Sequence, residues 1–356
     1  MVPTVSVVVP CYKYGHHVTE CVTSLLANTA VDLDILVVDD ASPDDSWSVV
    51  RRLPRLEPRI RVYRNEENRG LIPTANAGVL AATGDYVVLL SADDVHARGW
   101  LDRGVALLEA NPRAVLAYGP VLRFPGAVPK VREWRGSRPV VHRGLDWIER
   151  ACRSGINGIV CPEAIVRTSA QHTVGGYRAD LPYTSDMEMW LRLASVGDVV
   201  QDRGDYAAFT RVSPQSMSAV AESSMTRILE IRRDAFNAWH EYAHNLVANS
   251  DALLAKAHNT LARTAMFRAY VVFLSNPSDD GEADTEADTM AKFAMDLDPE
   301  WAAAPVRRLD ALRSRPSVRK AFSGVSLLST TWFRARLAGK RARRRLTRFP
   351  VKPQML

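Results

Sequence analysis

Four short apolar runs rich in β-branched residues mark the N-terminal part of the chain: VSVVVP (5–10), DILVVDD (34–40), RIRVYRN (59–65) and DYVVLLS (85–91). Segments of helical length, 17–28, 46–53 and 73–82, separate them, so the pattern predicts strands and helices in strict alternation. Strands apolar on both faces that alternate with helices imply an α/β fold, a mostly parallel sheet covered on both sides. After position 220 the period becomes helical. Met225, Ile228, Ala235, Phe236, Trp239, Tyr242 and Leu246 form one apolar stripe, and Leu254, Ala257, Leu261 and Ala265 begin another. An acidic, Pro- and Gly-bearing loop is predicted over 276–288, with shorter helices around Phe293 and Leu309. The expected organisation is a sheet domain over 1–220, a helical appendage over 221–320 and a tail over 321–356.

Each predicted strand ends in a polar cluster: PCYKYG, DDASPDD, NEENRG and SADD. In open α/β sheets ligands bind beyond the carboxyl ends of the strands, so these clusters should share one rim. Asp39, Asp40, Asp93 and Asp94 would meet there, and like charges that close repel unless a cation or hydrogen-bond donors hold them. A divalent cation on a diphosphate suits such a cluster, because Mg²⁺ takes one or two carboxylates together with phosphate oxygens. Taken singly, DDAS or SADD also reads as helix capping or a turn. DILVVDDAS resembles a receiver-domain strand, but that fold carries its acidic pair on an earlier strand. A dinucleotide site would need GxGxxG after the first strand, and PCYKYGHH does not supply it.

Further along, YTSDMEMWLRLA (183–194) reads as a helix start. By spacing alone Asp186 is a first-turn acid favoured by the helix dipole, Met187, Trp190, Leu191 and Ala194 face the core, and Glu188 with Arg192 forms a surface pair. Trp134 and Trp147 offer apolar ring faces for stacking on a ligand, although Trp147 also fits the core pattern of LDWIERA. His142 and His172 read as surface or packing residues.

Together, VSVVVPCYKYGHHVTECVTSLLANT, DILVVDDASPDDSW, NRGLIPTANAGVLAATGDYVVLLSADD and VGGYRADLPYTSDMEMWLRLA resemble the glycosyltransferase family 2 enzymes, over roughly residues 4–218. The resemblance implies the nucleotide-sugar-binding GT-A fold and inverting transfer from a nucleoside-diphosphate sugar, UDP foremost, to a glycan or lipid-linked acceptor. It implies that Pro10 and Tyr12 pack on the nucleotide base and that Asp40, with Asp39 beside it, hydrogen-bonds the base edge. Arg69 and Asn76 would flank the ribose and diphosphate, while Ala92, Asp93 and Asp94 form the acidic motif that touches the ribose, with Asp93 and Asp94 holding Mg²⁺ or Mn²⁺. Asp186 matches the catalytic base, and GINGIVCPEA (155–164) lies where relatives shape the acceptor pocket. Three positions depart from the family pattern: Ser91 replaces an Asp, Ser185 a Glu, and Ser213 a His that often helps hold the metal. These departures leave a second reading, a catalytically impaired sugar-nucleotide-binding or scaffold protein of the same fold.

Composition and charge refine the picture. The chain has 356 residues, 47% hydrophobic and 24% charged, enough to bury a sizeable core. Cys11, Cys21, Cys152 and Cys161 form no CxxC pair and read as small buried thiols. No run reaches the ~18 apolar residues needed to cross a bilayer. The N-terminus lacks the basic, apolar and cleavage regions of a signal peptide. A cytoplasmic protein is expected, with peripheral contact at the inner face of the cell membrane. Residues 311–356 carry 13 Lys and Arg and no acid, whereas acids outnumber bases before them. That basic stretch, with Trp332, Phe333, Leu337, Leu346 and Phe349, suits an anionic membrane surface; a solvated tail or, less well, a nucleic-acid contact are the alternatives.

Overall fold

The computed structural model describes residues 1–129, 136–213, 224–275 and 282–313. The predicted alternation is realised as β1 (Thr4–Cys11), α1 (Gly15–Leu25), β2 (Asp32–Asp39), α2 (Ser46–Val50), β3 (Ile60–Arg64), α3 (Leu71–Leu80) and β4 (Tyr86–Leu89). The chain continues through β5 (Val95–His96), α4 (Trp100–Glu109), β6 (Ala114–Tyr118), β7 (Val121–Phe124), β8 (Pro139–His142), α5 (Gly144–Ser154), β9 (Ile165–Arg167), α6 (Thr168–Val174), α7 (Ser185–Val196), β10 (Asp198–Asp202) and β11 (Ala208–Arg211). Among the described residues four longer helices follow: α8 (Met225–Ala243), α9 (Ser250–Ser275), α10 (Glu282–Leu297) and α11 (Pro299–Arg313).

The main sheet runs β3-β2-β1-β4-β9-β6-β10-β8, and a small sheet runs β5-β11-β7. Pairing is parallel from β3 through β4 and again between β6 and β10, while β9 and β8 run antiparallel to their neighbours. Val5, Val7, Val9, Ile35, Val37 and Val88 are fully or almost fully buried, as strands covered on both faces require. Gly78 of α3 lies so close to β1 that a Cβ there would stand 2.4 Å from Val8 Cγ1; glycine lets this helix seat on the strand.

The chain divides into two compact units, Met1–Thr260 and residues from Leu261 onward, later than the expected break at 220. The reason lies in α8. Its Leu229, Phe236 and Trp239 are buried, Trp239 Nε1 donates to Ser195 Oγ at 3.0 Å, and Ile231 O accepts from Thr184 Oγ1 at 2.9 Å, so the helix is packed on α7. In the second unit, residues 282–288 belong to α10 and not to the loop predicted over 276–288.

Two further expectations change. Glu188 and Arg192 are buried, with 0% and 6% of their side chains exposed, and pair at 2.7 Å inside the protein. Arg192 also donates to the carbonyls of Val174 and Gly176, which fixes the turn leading into α7. An i,i+4 acid–base pair looks like surface until such carbonyls are known to lie against it. Trp147 is core, its Nε1 donating to Tyr118 Oη at 3.4 Å, whereas Trp134 falls outside the described residues. His142 is buried on β8 at one edge of the main sheet and His172 is exposed.

Candidate active site

The strand ends of β1 and β2 are joined by a polar network. Asp39 Oδ2 accepts from Ser42 N at 3.2 Å and pairs with Arg64 at 3.2 Å, and Ser42 Oγ accepts from Lys13 N at 3.0 Å. Among the described residues Lys13 and Ala41 are the non-glycine residues with positive φ, 62° and 53°, one in each of these two loops. Backbone strain of that kind persists only where the surroundings impose it.

Asp40 is buried and takes three donors. Asn65 Nδ2 reaches Oδ1 at 2.7 Å, Arg69 N reaches Oδ1 at 2.9 Å, and Gly70 N reaches Oδ2 at 2.8 Å. It therefore orders the loop that starts α3, whose Arg69 side chain is exposed. Asp39 differs, since its Oδ1 is buried without a partner among the described residues. Pro10 is buried and Tyr12 is 38% exposed on the loop after β1.

Beyond β4, Ala92, Asp93 and Asp94 are all buried. Burial and the neighbouring charge of Asp93 push the Asp94 carboxyl well above the usual carboxylate range. Asp94 N donates to Ser91 O at 3.0 Å, and Asp94 Oδ1 accepts from Arg211 N at 3.0 Å. Arg211 also donates through Nε to Asp93 O at 3.2 Å and pairs with Glu20 at 2.6 Å, so β11 is clasped to the acidic turn. Tyr14 hydrogen-bonds the Asp93 side chain, and burial together with that carboxylate pushes its phenol up to about 12. Neither Arg211 nor Tyr14 was singled out by sequence, although Tyr14 lies inside the quoted PCYKYG. Ser213 lies two residues beyond the end of β11, and residues 214–218 lie outside the described residues.

Asp186 sits in the first turn of α7, half-buried. Its Oδ1 accepts from Met187 N at 2.7 Å and its Oδ2 from Asn157 Nδ2 at 2.8 Å. Burial raises its pKa to about 6, and the two donors oppose that rise. The turn Cys161–Glu163 lies against the end of β4. Burial, and after it the charges of Asp186 and Asp94, push the Cys161 thiol and the Glu163 carboxyl well above their ordinary values. The turn is pinned from below, because His96 donates through Nε2 to Pro162 O at 2.6 Å, Trp100 Nε1 to Glu163 O at 3.1 Å, and Cys161 Sγ to Leu89 O at 3.6 Å.

Asn76 closes the second wall. Its Nδ2 donates to Tyr177 O at 2.8 Å and its Oδ1 accepts from Tyr177 N at 2.7 Å, joining α3 to the segment before α7. A Cβ at Gly176 would stand 2.7 Å from Asn76 Oδ1, so the bridge needs glycine there. The structure thus buries Asp93 and Asp94 beyond β4 and holds Asp186 in the first turn of α7, while the side chains of Asp40 and Asn76 are engaged with their own chain. Among the described residues no group of three or more His, Cys, Asp and Glu forms a ready-made metal cluster.

Comparison with known proteins agrees with this architecture. The chain is 26% identical over 208 residues to an uncharacterized glycosyltransferase of Haemophilus influenzae, covering 55% of this chain and 61% of that protein. It spans about three fifths or less of the length of the first relatives it matches. Among solved structures it resembles residues 1–349 of S. aureus TarS in complex with UDP-GlcNAc, at a TM-score of 0.61 and 16% identity over 92% of each chain. It also resembles the mannosyltransferase PcManGT from Pyrobaculum calidifontis in complex with GDP-Man and Mn²⁺, at a TM-score of 0.54 and 18% identity over 93% of this chain and 88% of that one. The fold is the GT-A fold. Residues 6–166 match the model of the glycosyl transferase family 2.

Proposed function

We propose that the protein transfers a sugar from a nucleoside-diphosphate sugar, with UDP as nucleotide, to a hydroxyl of a glycan or lipid-linked acceptor, with inversion at the anomeric carbon. The observation that carries this reading is Asp186, a carboxylate in the first turn of α7 held by two donors and raised to about 6, whose charge, like that of Asp94, acts on the buried Glu163. A base poised near neutral pH is what deprotonation of an acceptor hydroxyl requires, and such catalysis is typically worth ~10²–10⁴-fold. Asp186 takes the hydroxyl proton as the oxygen attacks the anomeric carbon, and the bond to the nucleoside diphosphate breaks on the opposite face.

Two adjacent buried carboxylates, one pushed up by the charge of the other, fit a hard divalent cation. Asp93 and Asp94 would hold Mg²⁺ or Mn²⁺, with phosphate oxygens and water completing its shell. When bound, such a cation supplies Lewis-acid stabilisation to the departing diphosphate. On the nucleotide side, Tyr12 offers an exposed ring beside Pro10, Asp39 keeps an oxygen without a partner among the described residues, and the exposed Arg69 lies in the Asp40-ordered loop.

The test is to incubate the protein with a panel of UDP-, GDP- and dTDP-sugars and Mn²⁺ and to follow nucleoside diphosphate release. Slow release from one donor, lost in Asp186→Asn while nucleotide affinity stays within about threefold, is the expected result, given the size of general base catalysis. Nucleotide binding without release from any donor would favour the impaired, binding-only reading.

A further inference from the structure

Asn157 lies in the loop after α5. That helix ends on Gly155, whose φ of 64° turns the chain out of the helix, and Ile159, buried at 1% exposure, anchors the far side. The Asn157 amide is oriented without ambiguity: its Oδ1 accepts from Ile159 N at 3.2 Å, so its NH₂ edge faces Asp186 Oδ2 at 2.8 Å. Met187 N occupies the other carboxylate oxygen at 2.7 Å.

We infer that Asn157 is the positioning residue of the catalytic base: its amide fixes the rotation of the Asp186 carboxylate and donates to its ionised form. The inference rests on the reading of Asp186 as the base. One oxygen is held by backbone and the other by Asn157, so the carboxylate plane is set from both ends. A lone pair stays open on each oxygen for the acceptor proton.

The groups facing Asp186 make this donor matter. Cys161 and Glu163 come from the turn before β9 and Tyr177 from the segment before α7; burial pushes all three well above their ordinary values and so disfavours their charged forms. Nothing cationic offsets the ionised base within this set. Burial drives Asp186 up, and the opposing influences are Met187 N, the Asn157 side chain and its own backbone N–H. Removing the amide must therefore favour the protonated, inactive acid. Replacing the amide by a carboxylate must favour it more, because a like charge then adjoins the base.

Asn157→Ala, the isosteric Asn157→Asp and Asp186→Asn test the inference in the full-length chain. The Asp186 carboxyl, assigned by its absence in Asp186→Asn, is titrated by ¹³C NMR, and kcat and KM are followed across pH for the donor that turns over. Asn157→Ala should raise the titration midpoint and the acid limb of kcat together by about one unit, a loss of about tenfold on the acid side that fades at alkaline pH. Asn157→Asp should shift both further, and donor KM should stay near wild type in each. A merely structural role for Asn157 would instead depress activity evenly across pH. An unchanged midpoint in both Asn157 variants, or a pH-independent loss, overturns the inference and leaves the base assignment standing. Retained turnover in Asp186→Asn overturns the base assignment itself.

Discussion

Asn76 holds both backbone groups of Tyr177, donating to its carbonyl at 2.8 Å and accepting its N–H at 2.7 Å across 101 residues of sequence. This two-point bridge ties the helix behind the Asp40 loop to the segment that delivers Asp186. Asn76→Ala leaves a half-buried peptide without partners and should destabilise the protein by ~1–3 kcal/mol. Asn76→Asp should be worse, because a carboxylate oxygen then faces the Tyr177 carbonyl. Both should lower turnover more than nucleotide affinity; thermal melts and nucleotide titrations check the split, and a large loss of affinity with an unchanged melting temperature would return Asn76 to direct ligand contact.

The buried pair of Glu188 and Arg192 predicts a pH-dependent defect. Removing one partner of a buried ion pair typically costs 3–5 kcal/mol because the other charge is stranded, and Arg192 also serves the Val174 and Gly176 carbonyls. Burial raises the Glu188 pKa and Arg192 opposes it, so in Arg192→Met the folded-state pKa rises further. A raised folded-state pKa means stability is lost as pH climbs through the ordinary carboxylate range toward it. The destabilisation of Arg192→Met should therefore shrink on acidification. Melting temperatures of both proteins across mildly acidic to neutral pH measure this, and a constant difference would remove the stranded-carboxylate explanation.

The parallel strands were legible because burial on both faces leaves a continuous apolar signature, as in residues 5–9 and 35–38. β9 was not: three residues carry no periodicity, and its antiparallel insertion between β4 and β6 is set by tertiary pairing. The same limit applies to the site. Asp93, Asp94 and Asp186 stood out by charge at element ends. Arg211, Tyr14 and Asn157 act through contacts that spacing cannot reveal, such as Arg211 N on Asp94 across 117 residues. Glu188 and Arg192 misled because helical spacing alone does not tell a solvated pair from one covered by a neighbouring turn.

The tail prediction rests on sequence, since residues 314–356 lie outside the described residues. Truncation after Thr330 should leave the fold intact and weaken sedimentation with anionic vesicles, because each base near such a surface contributes up to about 1 kcal/mol. The charge-driven part should fade with salt as screening shortens to about 8 Å at physiological ionic strength, while Trp332, Phe333 and Phe349 leave a salt-resistant remainder. Equal sedimentation of both forms would end the membrane reading, and tight RNA binding by the full-length chain at physiological salt would replace it.

Asp94 should show opposite effects in the free and the loaded protein. Ionised Asp94 is costly in the free protein: burial and Asp93 raise its folded-state pKa, so stability is lost as pH rises above the ordinary carboxylate value. Asp94→Asn removes that cost and keeps an oxygen for the Arg211 N–H, so without ligand the variant should melt at or above the wild-type temperature at neutral pH. With nucleoside diphosphate and Mn²⁺ the order should reverse. Ligand at ~100 times its dissociation constant stabilises by about 2.7 kcal/mol, and the metal-dependent share of that gain needs both carboxylates. Melts of wild type and Asp94→Asn, each without ligand, with nucleotide plus Mn²⁺ and with nucleotide plus EDTA, give six values. An EDTA-sensitive increment of equal size in both proteins would show that the cation is held elsewhere, and a free variant that melts well below wild type would show that the pair is not strained by its own charge.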